Sequence, residues 1–293
     1  MEFYNITICA IIIGYEAIIM TNNARTLGKA GSDLLTEITR QGKRIFTYED
    51  AVKAYDGDNR RLRELLSTLV QRGWLQRLEK GKYLILPFEA GREREWTEHE
   101  FIIASYLIEP YYIGFRSALN YYGYTEQISR IVYVASTRRK FKSSLEISGV
   151  AYQMVNMPER KFFGFQPITI NGYKINISER EKTIADCLDQ TRNCGGIQEI
   201  AKALWYGKDE LDFTKLAKYS RRIGNHAASQ RLGYLIELLG FKADKAVDIL
   251  LQSLSTRYAP LDSLSESKGK YLQRWKIIVN LPENELLQWK EQE

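Results

Sequence analysis

Histidine and cysteine are scarce in this chain of 293 residues: two histidines, His99 and His226, and three cysteines, Cys9, Cys187 and Cys194. Two imidazoles leave almost no scope for histidine-centred catalysis or a His-rich metal site. An odd number of thiols without a C-x-x-C pair builds neither a disulfide framework nor a four-ligand zinc site. Long apolar runs are missing too. The longest, Ile6 to Ile19, spans about fourteen residues and is interrupted by Glu16, whereas a bilayer crossing needs roughly 20. Glu2 stands where a signal peptide carries positive charge, so no export signal is readable and a cytoplasmic protein without membrane partners is expected. Two readings of this extension stay open: translation starting at Met20, or a packed strand or helix.

Catalytic signatures are equally absent. The chain has no Gly-rich phosphate loop, no nucleophile elbow, no H-E-x-x-H and no paired-aspartate pattern. Asp186 and Glu181 are five apart, which does not stack them as a metal pair on a helix, and Cys187 sits among apolar neighbours as a small core residue. Gly195-Gly196 reads as a helix stop. The expectation is a protein that is not an enzyme and has no cofactor or metal.

What is present is a globular composition, 44% hydrophobic and 12% aromatic, on a chain long enough for about two domains. The net charge is +6, and it is unevenly spread: Thr21 to Pro87 holds thirteen basic and eight acidic residues, a net of +5. A skew that local implies a polyanion-binding surface rather than a general aid to solubility.

Within that segment the apolar spacing sets out three helices. Leu27, Leu34, Leu35 and Ile38 recur at helical intervals up to Gly42. Thr47 caps a second helix with acidic residues in its first turn and Tyr48, Ala51, Val52 and Tyr55 on one face. Asp58 caps a third, with Leu62, Leu65, Leu66 and Leu69 on one side and Arg60, Arg63, Glu64 and Ser67 on the other. Gly73 ends it. Two β-type runs follow, Trp74–Leu78 and Tyr83–Leu86, joined through Glu79-Lys80-Gly81-Lys82. Three short helices and a hairpin are the order of a winged helix-turn-helix. A third helix leucine-rich inside and cationic outside can dock on its own core and present arginines to a groove. The residues expected at DNA are Thr47, Tyr48, Asn59, Arg60, Arg61, Arg63, Ser67, Lys80 and Lys82. The plainer alternative for each arginine is a solvated face paired with Asp58 or Glu64.

Downstream, 89–97 reads as a charged linker. Thr97 and Glu100 have the spacing of a capping box, with His99 an exposed residue in the first helical turn. Ile131–Ala135 reads as a buried strand; shorter strands follow around 151–155, 164–170 and 173–177, the last two joined by Asn171-Gly172. Ser178 and Glu181 suggest a second capping box, and beyond Gly196 amphipathic runs lie around 197–205, 212–223, 227–239 and 243–252. The fold class expected is α+β: a winged helix at 21–88 after an extension at 1–20, an α/β region at 98–192 and a mainly helical region at 193–293.

Two stretches then carry a family likeness. Tyr112-Ile113-Gly114-Phe115-Arg116-Ser117-Ala118-Leu119 with Tyr122-Gly123-Tyr124-Thr125-Glu126-Gln127 resembles the S-A-L … H-G-L-T-E-Q stretch of the AbiEi-type abortive-infection antitoxins. Ile177-Ser178-Glu179-Arg180-Glu181-Lys182-Thr183-Ile184-Ala185-Asp186 is similar to that family's I-S-x-x-E-K-T/A-L-x-D helix start, and Gly195-Gly196 sits where the family has a glycine pair. Tyr122 and Tyr124 depart from the family's histidine and leucine. The resemblance implies an operon-encoded antitoxin of phage defence. Such a protein represses its own promoter by binding inverted repeats, two copies to a site, and counteracts a cognate nucleotidyltransferase toxin through its C-terminal region. Antitoxin function would then fall on Arg116, Ser117, Glu126, Gln127, Glu181 and Lys182. By their own chemistry, Ser117, Glu126 and Gln127 read more simply as packing and backbone bonding. The tyrosines between 106 and 133 could stack bases but read better as half-buried packing. Arg138, Arg139, Lys140 and Lys142 form a basic loop, either a solvated turn or a second patch for phosphate or toxin. A competing assignment is a one-component regulator whose middle region senses a small molecule; a third is a nucleic-acid-processing subunit with an unlocated metal site.

Overall fold

Leucine spacing builds the first unit as expected. In the computed structural model, which describes residues 27–87, 98–126 and 129–292, α1 spans Lys29–Arg40, α2 Tyr48–Ala54 and α3 Asn59–Gln71. Leu34, Leu35 and Ile38 of α1 meet Leu62, Leu66 and Leu69 of α3 in one core with Phe46, Ala51, Trp74 and Leu75. Each buried leucine contributes about 1.5–3 kcal/mol relative to exposure. The apolar face of α2 is narrower than its sequence implies: only Ala51 is buried, Tyr48 and Tyr55 are half-buried, and Val52 is exposed. The extension 1–20, the linker 89–97 with Thr97, and Gln127 lie outside the described residues.

The hairpin is β2, Leu75–Glu79, and β3, Lys82–Ile85, closed by Gly81 at φ +76°, a left-handed conformation that costs glycine little. A further strand escaped the sequence reading: β1, Ile45–Thr47, adds antiparallel to β3 with Thr47 opposite Lys82, giving the order β1-β3-β2. Three residues are too few to show period-two alternation. The element order α1-β1-α2-α3-β2-β3 is that of a winged helix-turn-helix.

The chain divides into two compact units, Met1–Glu98 and His99–Glu293. The second begins with α4, Glu100–Leu107, whose first turn is capped by His99, the Nδ1 of which accepts from the Phe101 amide at 3.1 Å. His99 is therefore a cap rather than an exposed bystander. Six strands form a mixed sheet: β4 Tyr112–Ile113, β5 Ile131–Ser136, β6 Ser144–Ile147, β7 Val150–Asn156, β8 Phe165–Ile170 and β9 Tyr173–Ser178. Their spatial order is β6-β7-β5-β4-β9-β8, and α5, Phe115–Tyr121, follows β4 directly. The β8–β9 turn falls at Asn171-Gly172, both at positive φ.

Helix α6, Arg180–Asp189, runs through the middle of this unit with every residue from Glu181 to Leu188 buried. The expected capping box at its start does not form. Ser178 Oγ instead lies 2.6 Å from Thr183 Oγ1, and Thr183 also donates to the Glu179 carbonyl, because Ser178 ends β9 and the helix begins one residue later than the box requires, with Glu179 at its N-cap. Four helices follow at the expected places: α7 Ile197–Tyr206, α8 Phe213–Ile223, α9 His226–Leu238 and α10 Asp244–Leu251. The C-terminal region is mainly helical, but it also carries a small sheet of β10 Ala259–Pro260, β11 Lys270–Leu272 and β12 Ile277–Val279, and a last helix, α11 Glu283–Leu286. Trp275 lies against Gly233 of α9 so closely that a Cβ there would overlap the indole ring.

Candidate nucleic-acid interface

The start of α2 joins α3 to the wing. Thr47 accepts from the Asp50 amide at 3.1 Å, and Asp50 accepts from the Thr47 amide at 2.8 Å, a complete capping box. Lys43 adds an ion pair to Asp50 at 2.5 Å. Burial works against ionisation of Asp50, but the bonds from Lys43 and Thr47 outweigh it and hold the carboxyl below its ordinary value. The Thr47 hydroxyl is thus committed inside the fold, donating to Asp50 at 2.9 Å, which leaves it poorly placed to contact phosphate.

Tyr48 is the joint. Its amide donates to the Gly81 carbonyl at the wing turn, 2.7 Å, and its hydroxyl lies 3.3 Å from Asn59 Oδ1 at the head of α3. The Arg63 guanidinium sits 5.7 Å over the same ring. One half-buried aromatic therefore places Asn59, Arg63 and the wing tip on a common surface.

Along α3, Asp58 caps the helix by accepting from the Arg60 and Arg61 amides at 2.9 Å, and those bonds hold its carboxyl below the ordinary value. Arg60 pairs with Glu64 at 3.2 Å and Arg61 with Asp58 at 3.4 Å, with both arginine side chains more than three-quarters exposed. Exposed pairs of this kind are worth about 0–1 kcal/mol, so an arginine can leave its partner for a polyanion at small cost. Asn59, Arg63 and Ser67 are exposed on the same helix. On the wing, Lys80 is exposed at the turn, while Lys82 is half-buried and pairs with Glu79 at 2.6 Å. Arg77 was not among the expected contacts. Alternation from buried Leu75 points it inward, but the register slips between Arg77 and Glu79 and leaves it exposed.

In the second unit the candidates separate. Ser117 Oγ accepts from the Tyr133 amide at 2.9 Å and donates to the Ile131 carbonyl, tying α5 to β5. Glu181 accepts from the Asp212 amide at 3.1 Å and pairs with Lys215 at 3.0 Å. Lys182 is wholly buried, ion-paired with Asp186 and flanked by the Tyr112 and Phe163 rings. These three side chains serve the interior and are not placed on a surface. Arg116 is half-buried and Glu126 exposed. The tyrosines are mostly packing: Tyr111, Tyr112 and Tyr124 are buried, and Tyr122 donates to the Ser178 carbonyl at 2.7 Å. Burial pushes the Tyr124 hydroxyl up to about 12. The basic loop runs between β5 and β6 with Arg138, Arg139 and Lys142 exposed beside a fully exposed Phe141. Among the described residues no cluster of His, Cys, Asp and Glu could hold a metal ion, and no helix is long and apolar enough to cross a membrane.

Residues 33–85 match the family model described as "Transcriptional regulator, AbiEi antitoxin". Over those residues the first unit is similar to the AbiEi antitoxin regulators. This match covers the winged helix and ends before the second unit, and it places the AbiEi-type module in a family of regulators. Among solved structures, the RV2827C protein from Mycobacterium tuberculosis superposes with a TM-score of 0.63 over 91% of this chain and 96% of that chain, at 14% identity. At that identity the likeness is one of fold. No curated protein matches the sequence.

Proposed function

We propose that the protein is the antitoxin and autorepressor of a toxin–antitoxin operon, binding inverted repeats in its own promoter as two copies and counteracting a nucleotidyltransferase-like toxin through residues 98–293. The observation that carries the DNA half is the exposed cationic side of α3 held to the wing through Tyr48, on an AbiEi-type module. Asn59, Arg60, Arg61, Arg63 and Ser67 would face the groove, with Lys80 and Arg77 at the flanking phosphates. Half-sites would lie about one helical turn apart or a multiple of it. The toxin half rests on the resemblance of the 112–127 and 177–186 segments, whose buried members shape the surface instead of forming it.

The test separates the two roles in the full-length chain. Arg60→Ala with Arg63→Ala should abolish repression of a reporter driven by the protein's own promoter yet still rescue cells expressing the toxin. Retained repression would refute the DNA reading; loss of rescue by a folded variant would refute the division of labour.

A further inference from the structure

A cleft of about 420 Å³ opens beside the start of α9, lined by Arg160, Lys161, Asn225, His226, Arg257 and Tyr258, with no carboxylate on its walls among the described residues. Its two arginines are not spent on carboxylates among the described residues. Lys161 is satisfied by Asp189 at 2.6 Å. Arg160 makes one hydrogen bond, to the Ile223 carbonyl at 3.2 Å, and neither Arg160 nor Arg257 has a carboxylate partner among the described residues. The first turn of the 13-residue α9 forms part of the wall and adds the positive end of a helix dipole.

The far side of the cleft is aromatic. Tyr258 meets Tyr271 edge to face at 5.0 Å, both rings reach solvent, and Lys276 Nζ stands 5.3 Å over the Tyr258 ring. This arrangement is held from beneath: Gln230, 1% exposed, donates to the carbonyls of Arg257 at 2.9 Å and Lys276 at 3.1 Å. One buried amide thus fixes both segments that bring cations to the tyrosine. Unpaired arginines select an anion with several acceptor oxygens, an exposed phenol ring selects a flat partner, and the volume suits one small molecule rather than a strand.

We propose that this cleft binds a nucleoside phosphate, its phosphates on Arg160 and Arg257 and its base against Tyr258. The site is separate from the winged helix and stands whether or not that unit binds DNA. Isothermal titration calorimetry on the full chain with ATP, adenosine and inorganic phosphate tests it. ATP should bind at least tenfold tighter than either fragment. Arg257→Ala and Arg160→Ala should each weaken ATP about tenfold, Tyr258→Ala should bring ATP down toward phosphate, and Lys174→Ala, removing an exposed charge on the β8–β9 hairpin, should change nothing. The Arg257 side chain is exposed and, among the described residues, bonds to nothing that holds the fold, so that variant should stay folded. Absence of ATP binding, an unchanged affinity in Arg257→Ala, or phosphate binding as tightly as ATP would each overturn the proposal.

Discussion

Replacing Arg63 with alanine tests the proposed DNA surface most directly. Its guanidinium rests over Tyr48, 5.7 Å from the ring centroid, on an exposed site where a cation–π contact is worth about 0.5–1 kcal/mol. A bidentate arginine–guanine contact supplies about 1–3 kcal/mol of discrimination, so a base edge outcompetes the ring. The loss on the cognate duplex should then be roughly 5- to 150-fold in Kd, and smaller on scrambled DNA. Glu64→Gln makes the opposite perturbation: it removes the carboxylate holding Arg60 at 3.2 Å and a negative charge from the same face, so affinity should rise on both duplexes. Fluorescence anisotropy with the protein's own promoter and a scrambled duplex, repeated across a salt series, measures both effects. If Arg63→Ala binds like wild type, and the salt slope is flat, the cationic side of α3 does not hold nucleic acid and the reasoning fails.

Lys80→Ala should weaken all duplexes alike and lower the salt slope by about one, checked in the same titrations. Thr47→Ala removes the capping box of α2 and should cost about 0.5–2 kcal/mol by urea denaturation. Asp50 and Asp58 ionise below their ordinary values when folded, so each lends stability that is complete above the unfolded value near pH 4 and vanishes as pH falls through the folded one; the melting temperature of the winged helix, followed by circular dichroism, should drop on acidification in that range and not above it. Lys182→Met strands Asp186 in the core and should cost about 3–5 kcal/mol, whereas Lys182→Met with Asp186→Leu should recover most of that. Gly233→Ala, forced into the Trp275 ring, should lower the melting temperature more than any exposed-site variant named above.

Periodicity and caps determined much of this protein before any coordinates. Leucines at helical spacing fixed α1 and α3, Thr47 and Asp58 marked the starts of α2 and α3, and the four amphipathic runs after Gly196 became α7 to α10, because burying one face of a helix requires only a local repeat. The charge skew was equally local and pointed to α3. Elements too short to repeat, such as β1 and the strands at 259–279, left no such trace.

Tertiary structure decided which side chains remain available. Glu181 and Lys182 look like surface charges in a motif, yet the burial of α6 turns them into internal partners of Lys215 and Asp186. Tyr48 reads as one face of a short helix, but only folding sets it between the wing turn and α3. The basic cleft at α9 draws Arg160, His226 and Arg257 from three separate segments. A local pattern reports what one element must bury; which residues from distant segments converge depends on how all the elements pack, and no single stretch of chain encodes that.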